Sequence, residues 1–386
     1  MRKQILKSIL FLGTFLMLPN SSQAAIIFED NFDDTPNWQS QQLTFGGGGI
    51  AWGTPTFQGT CIGYCPPQNW TSYRTSQSLW TPNARDTYLI DSSGSRTVNG
   101  KGLTYNVESS GEWGTWAGGG IDKYLGVTGY PELYVRFWLK ESAEFCWGSE
   151  ALNLNAMGKL IRISALRRDP TSNPNIFNPQ LYPSSDVSPT LIGNAYRRFQ
   201  PNYGVPAQFD MEERYAPNYE YGPQCTFGPQ PSSCASEAPS AITFPHDNSG
   251  YCGDDQWHSY EYYVKLNSAL DATDGIYKAW LDGTLVAQKS NIPWVKSGTD
   301  TNGTAMTLDT GWNWVMIADN IDSTAYAKSD NVEMSRYIDD VVMYTPMNGS
   351  EMACGGACIA GRLPLTYLQS GLDSTPPSAP TGLSIE

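Results

Sequence analysis

Apolar and polar residues alternate with a period of two in several short runs of the chain, and helical spacing is scarce. In ELYVRFWLK (132–140), Val135, Phe137 and Leu139 point one way; Tyr134, Arg136, Trp138 and Lys140 point the other. In WHSYEYYVKLN (257–267), Tyr260, Tyr262, Val264 and Leu266 form an apolar face, opposed by Trp257, Ser259, Glu261, Tyr263 and Lys265. In GKLIRISALR (158–167), Ile161 and Ile163 oppose Arg162 and Ser164. Further strands are predicted at 311–319 and 336–345, with an edge strand entering at 24–34. Asp282-Gly283 sits between two apolar runs and tolerates the positive φ of a type I′ turn, so 274–288 reads as a hairpin. A two-residue loop pairs Leu281 with Thr284 and Trp280 with Leu285. One face then carries Tyr277, Ala279, Leu281, Thr284 and Val286, and the other Ile276, Lys278, Trp280, Leu285 and Ala287. Neither face is plainly polar, so something must cover both sides of this hairpin.

Composition agrees with an all-β chain: 22 Tyr, 13 Trp, 37 Gly and 26 Pro break up short aromatic and β-branched runs. Residues 1–24 read as a secretory signal peptide, with Arg2, Lys3 and Lys7, an apolar run from Ile9 to Leu18, and small residues Ser22 and Ala24 before the cut. No later stretch is long and apolar enough to span a bilayer, so the protein is expected to be secreted or held at the cell surface. The mature domain is read as 25–371, with long insertions at about 40–108 and 168–256. Residues 372–386 resemble a linker and the truncated start of a fibronectin type III domain. Oligomerisation is not signalled, and a monomer is expected.

The chain carries 24 Lys and Arg against 38 Asp and Glu, a formal net charge of −14. Three of the basic residues belong to the leader, so the mature chain is more acidic still. That charge argues against nucleic acid and anionic membranes as partners, while leaving room for a local basic groove. All eight cysteines lie in the mature chain, as expected of disulfides in an exported protein. Cys61 and Cys65, and Cys354 and Cys358, form C-x3-C loops; Cys225 and Cys234 close a Pro-rich loop; Cys146 and Cys252 remain as a long-range pair. A zinc site built on the two C-x3-C pairs is the alternative, but His246 and His258 are not placed as ligands.

The order IIFEDNFDD, YPELYVRFWLKES, DDQWHSYEYYVKLNSALDATDGIYKAWLDGTLVAQKSNI and RYIDDVVMYTP resembles the concanavalin A-like jelly-roll superfamily, especially its secreted bacterial polysaccharide-lyase-like and laminin-G-like domains. The resemblance covers about 120–167 and 255–346. It implies a two-sheet antiparallel jelly-roll β-sandwich with long disulfide-bearing loops and a concave, glycan-binding face. It also implies that acids of the first and last strands, here Glu29, Asp30 and Asp340, hold a structural Ca²⁺, for which hard oxygen ligands are suited; solvated turn acids are the plainer reading. The paired-glutamate strand of the superfamily's glucanases, E-x-D-x-(x)-E, is absent. So are the R-[ST]-E-[LV]-R and Y-x-K-x-G-x-Y-x-Q signatures of its alginate lyases. No catalytic residue is therefore carried over by motif.

The mixed strand faces suggest sugar chemistry on their own account. Aromatic rings stack on pyranose C–H faces while charged groups bind hydroxyls and carboxylates. Lyase chemistry needs a cation to neutralise a uronate carboxylate and a group to take the C5 proton. Arg136 and Arg162 are candidates for the first task, and Tyr263 and His258 for the second; the parity of His258 with the apolar set favours a structural role for it. Tyr134, Trp138, Lys140, Glu261 and Lys265, with Arg197 and Arg198 in the second insertion, are candidate substrate contacts. Three readings stand: a lyase acting on a uronate-containing polysaccharide, a non-catalytic glycan-binding or adhesive module, and a purely structural surface domain.

Overall fold

A computed structural model describes residues 26–40, 56–59, 61, 65–74, 86–108, 116–117, 119–145, 156–167, 188–197, 208–217, 220–222, 225–227, 244–247, 252–300, 303–318, 321–322, 333–346 and 361–367. The leader, residues 372–386, Arg198, Cys146, Cys234, Cys354 and Cys358 lie outside them.

The strands are β1 (Ile26–Asp30), β2 (Trp38–Gln39), β3 (Thr56–Phe57), β4 (Ser72–Arg74), β5 (Asp86–Asp91), β6 (Gly102–Glu108), β7 (Trp116–Ala117), β8 (Gly120–Tyr124), β9 (Glu132–Glu141) and β10 (Ala156–Ser164). They continue with β11 (Thr190–Arg197), β12 (Gln208–Tyr215), β13 (Glu220–Tyr221), β14 (Cys225–Phe227), β15 (His258–Lys265), β16 (Gly275–Leu281), β17 (Thr284–Ile292), β18 (Trp314–Ile317), β19 (Ile321–Asp322) and β20 (Glu333–Tyr344). Among the described residues the only helical element is a 3₁₀ turn at Ser92–Gly94. The segments expected as long insertions also supply strands, β3 to β6 from the first and β11 to β14 from the second. Their Gly, Asn and Pro content masked short runs such as Asp86–Asp91.

Sheet I has nine strands in the order β17-β16-β15-β9-β20-β6-β5-β2, with β1 also on β20. The first half of β20 pairs with β6 and its second half with β1, so the first and last strands are neighbours. Sheet II has eleven strands, with the path β13-β12-β11-β10-β18-β8-β4-β3, β14 on β12, and β19 between β10 and β7. The strands pair antiparallel throughout. The chain is thus a two-sheet antiparallel jelly-roll sandwich, the architecture implied by the sequence.

The alternation read from the sequence decides what lies between the sheets. Val135, Phe137, Leu139, Tyr260, Tyr262 and Val264 of sheet I meet Ile161, Ile163, Leu191, Val315 and Ile317 of sheet II in one buried core. Burying one such aliphatic or aromatic side chain is worth about 1.5–3 kcal/mol. Gly193 of β11 is required by this packing: a Cβ there would come within 2.7 Å of the Tyr262 ring across the core.

The hairpin forms as expected, with φ of 48° at Asp282 and 81° at Gly283, and Leu281 opposite Thr284. One position departs from the expected faces. The register slips between Ala279 and Trp280, so Val286 is an extra residue and Ala287, expected beside Trp280, turns into the core. The other hairpin face, with Ile276, Trp280 and Leu285, joins a separate apolar cluster on the outside of sheet I.

Candidate functional site

Two outer faces lie back to back on this sandwich, and the sequence-derived candidates divide between them. The outer face of sheet I carries Tyr134, Arg136, Trp138 and Lys140 of β9 beside Ser259, Glu261, Tyr263 and Lys265 of β15. Over its centre lies the chain's own segment 361–367. Arg136 Nη1 donates to the carbonyls of Leu363 (3.1 Å) and Pro364 (2.9 Å), and its Nη2 to that of Tyr367 (3.3 Å). Glu261 accepts from the Tyr344 hydroxyl and from Arg362, whose Nε lies 2.9 Å away and whose guanidinium covers the Trp280 ring. The Tyr367 hydroxyl donates to Glu29 at 2.7 Å. Arg136 and Glu261 are each only 1% exposed. This strap covers the second side of the hairpin, with Leu363 and Tyr367 packed in one cluster with Ile276, Trp280 and Leu285.

Burial under the strap sets the chemistry of these groups. It lowers the pKa of Arg136, opposed by the charge of Glu261. It raises that of Tyr263 well above the usual range, helped by the hydrogen bond from its hydroxyl to Glu132 at 2.6 Å. Tyr263 is therefore held protonated, its ring tilted against that of Tyr134 with centres 4.6 Å apart. Tyr134 stacks in turn on Tyr344. Lys265 lies 3.6 Å from Glu132. Beyond the strap, Lys140 pairs with Asp255 at 3.1 Å and Trp138 lies under the Arg96 guanidinium.

His258 stands at the rim of sheet I, away from Arg136 along β15. Its Nδ1 is 2.7 Å from Asp282 and its Nε2 2.9 Å from Asp254. Burial disfavours its charge, but the two carboxylates more than offset this and the pKa is raised. It ties the segment before β15 to the hairpin turn.

The acids expected to hold calcium are separated. Asp30 accepts from the Phe32 N–H and the Trp70 indole on one side of β1, while Glu29 faces the strap on the other. Asp340 pairs with Arg96, and its neighbour Asp339 accepts from the Arg96 and Asp340 N–H groups. Burial raises Asp30 to about 6 and Asp340 to about 6; burial and then the adjacent Asp340 raise Asp339 to about 8. Among the described residues no three His, Cys, Asp or Glu converge as a metal-holding group. Cys61 is bonded to Cys65, as its spacing suggested, and Cys252 is also in a disulfide.

The outer face of sheet II is the more informative one. Arg162 sits at its middle, and cross-strand pairing places it in a row: Glu212, Ile192, Arg162, Met316, Asp122, Ser72. The adjacent row reads Arg214, Thr190, Ser164, Trp314, Tyr124. Ser72 Oγ donates to Asp122 at 2.8 Å, and Arg74 approaches the same carboxylate at 3.8 Å. Ser164 and Thr190 share a hydrogen bond at 2.9 Å, and Arg214 pairs with Glu212. Arg162 is 1% exposed and Asp122 fully buried. Arg197 ends β11, opposite Ala156, on this same sheet.

Arg136 and Arg162, both proposed from sequence as carboxylate-neutralising groups, thus face away from each other on opposite sides of the sandwich. Tyr263 shares the face of Arg136, and His258 belongs to the same sheet but sits at its rim with the opposite parity. The companions of Arg162 are not among the candidates that the sequence alone suggests. The signal was present: Ile121 against Asp122 and Tyr124 in Gly120–Tyr124, and Phe209 and Met211 against Glu212 and Arg214 in Gln208–Tyr215, repeat the same alternation.

The class is therefore an all-β jelly-roll sandwich with a charged outer sheet face. The sequence matches no protein family and no curated protein. Solved structures overlap it loosely. An endo-β-1,4-glucuronan lyase from the fungus Trichoderma reesei is 12% identical over 70% of this chain and 93% of its own, with a TM-score of 0.40. The PL-14 alginate lyase from Aplysia kurodai is 10% identical over 66% and 86%, TM-score 0.35. Basic winged bean lectin is 8% identical over 81% and 98%, TM-score 0.26. Overlap this loose transfers no residue and no substrate.

Proposed function

We propose that this is an exported protein that recognises a uronate-containing polysaccharide on the outer face of sheet II, centred on Arg162, which at 1% exposure a substrate reaches only by displacing what lies over it. The observation that carries the reading is the pair of cross-strand rows around Arg162. Placing charged groups on a buried sheet face is costly, and a face that needed only to be covered would be as apolar as the inner side of the same strands. Here Arg162, Asp122, Arg74, Arg214 and Glu212 share one face with Tyr124, which is half-buried, and with Trp314, which is fully buried behind it. Guanidinium groups bind carboxylates with two parallel hydrogen bonds, and flat rings accept the C–H faces of sugars.

A finer reading is β-elimination. Arg162 neutralises the substrate carboxylate, which makes loss of the C5 proton tolerable; a base on the same face takes that proton, the C4–O bond to the next sugar breaks as the C4–C5 double bond forms, and the departing oxygen takes up a proton from the protonated base or from water. Tyr124 is a phenol on this face and the residue to test for that role. Pure binding is the alternative, and needs no such base.

Both are tested with the oxidised mature chain, residues 25–371, on a panel of neutral and uronate polysaccharides. Retardation in polysaccharide-containing gels reports binding, and ultraviolet absorbance of the unsaturated product reports elimination. Uronate-specific retardation that Arg162→Ala abolishes is expected. Absorbance that rises in the wild type and is lost in Tyr124→Phe would establish the lyase; retardation without absorbance would leave a binding module. No retardation and no absorbance on any uronate polymer would overturn the proposal.

A further inference from the structure

The strap leaves one part of the outer face of sheet I open. Lys140 lies opposite Tyr337 of β20, and Trp257 flanks it at the entry to β15. The Lys140 ammonium is 4.5 Å from the Tyr337 ring centre and 6.0 Å from that of Trp257. Two residues along β9, Trp138 carries the Arg96 guanidinium at 4.1 Å. Trp138, Lys140, Trp257 and Tyr337 are all half-buried, whereas Tyr134, Tyr263 and Trp280 on the same face are buried under the strap. Two aromatic rings and a lysine, each partly exposed, therefore span three neighbouring strands, about 10 Å at the usual spacing.

The charges in this patch are balanced. Lys140 is paired with Asp255 and Arg96 with Asp340. Such a patch has no cation to spend on a uronate carboxylate. It offers the Trp257 ring, which Lys140 approaches only to 6.0 Å, the part of the Tyr337 ring that Lys140 leaves uncovered, lysine N–H donors and the Asp255 acceptor, the chemistry that recognises neutral pyranose units.

We infer that Trp257, Tyr337 and Lys140 form a second carbohydrate site, on the side of the sandwich opposite Arg162, that binds neutral hexopyranose polymers. It rests on different residues and a different ligand charge from the proposed function, so either stands without the other. Two such sites on opposite faces would let one molecule hold two polysaccharide chains, or a neutral matrix and an acidic polymer, at once.

The test is gel retardation of the mature chain in a neutral β-glucan and in agarose, against alginate as the acidic polymer. Trp257→Ala combined with Tyr337→Ala is expected to lower retardation in a neutral gel at least several-fold, with Trp257→Phe and Tyr337→Phe restoring it. Arg162→Ala is expected to leave neutral-gel retardation unchanged. Near-ultraviolet circular dichroism and the thermal midpoint show that each variant is folded. A wild type not retarded by either neutral polymer overturns the inference. So does a double alanine variant that lowers the thermal midpoint while keeping wild-type retardation, because the rings would then be a staple between the segment before β15 and the sheet.

Discussion

Two residues show how little freedom single positions have here. Gly193 has no side chain because the Tyr262 ring from the facing sheet occupies the space a Cβ would take, at 2.7 Å. Gly193→Ala is expected to destabilise the protein by about 1–3 kcal/mol, as overpacking does, read as a lower denaturant midpoint. A midpoint equal to wild type would mean the two sheets part at that point without cost. Glu261 is the second case: it is buried and receives both Tyr344 and Arg362. Removing Arg362 leaves a buried carboxylate short of its cation, so Arg362→Ala is expected to cost about 3–5 kcal/mol. Adding Glu261→Gln should recover part of that loss, since the charge left without its partner is gone. If the double variant is no more stable than Arg362→Ala, the cost lies in lost strap packing instead.

At the scale of elements, the strands were legible because one physical rule wrote them. A strand between two sheets must alternate, so β9, β10 and β15 announce their inner and outer sides residue by residue. The hairpin turn was legible for a local reason, the tolerance of Asp282-Gly283 for positive φ. The strap was not. Residues 361–367 are short and broken by a proline, and Arg136 holds them through carbonyl groups that every residue possesses. Nothing in their composition says which arginine will hold them. The bulge that turns Ala287 inward is equally silent, since register slips are settled by packing on both partners.

At the scale of the whole molecule, several buried acids share one sense of pH dependence. Asp30 and Asp340 titrate at about 6 and Asp339 at about 8, all above the ordinary 3.8, so each holds its proton more tightly folded than unfolded. Their contribution to stability is complete below about pH 4 and is lost as pH rises through 6 to 8. His258 is raised above its ordinary 6.5, so its contribution is likewise present below that value and lost above its folded pKa. The midpoint for unfolding is therefore expected to fall between about pH 5 and pH 9. Asp339→Asn should flatten that fall, gaining stability chiefly at the alkaline end, at about 1.4 kcal/mol per pKa unit removed and less to the extent that Asp339 and Asp340 titrate as a pair. Parallel pH profiles for variant and wild type would show that Asp339 is not the group responsible.

The sequence by itself determined the all-β class, the inner and outer sides of the main strands, the hairpin and the short Cys61–Cys65 loop. Each of these depends on neighbours a few residues apart, through side-chain alternation, turn dihedrals or ring closure. Only the tertiary structure decided that Arg136 lies under a strap, that Arg162 faces the other way among Asp122, Arg74 and Glu212, and that Trp257 and Tyr337 stay open beside Lys140. Alternation says that a side chain points away from the core; it does not say which sheet the strand will join or what will lie over it. Those facts come from pairings between strands more than a hundred residues apart in the chain, such as β9 with β20 and β8 with β18.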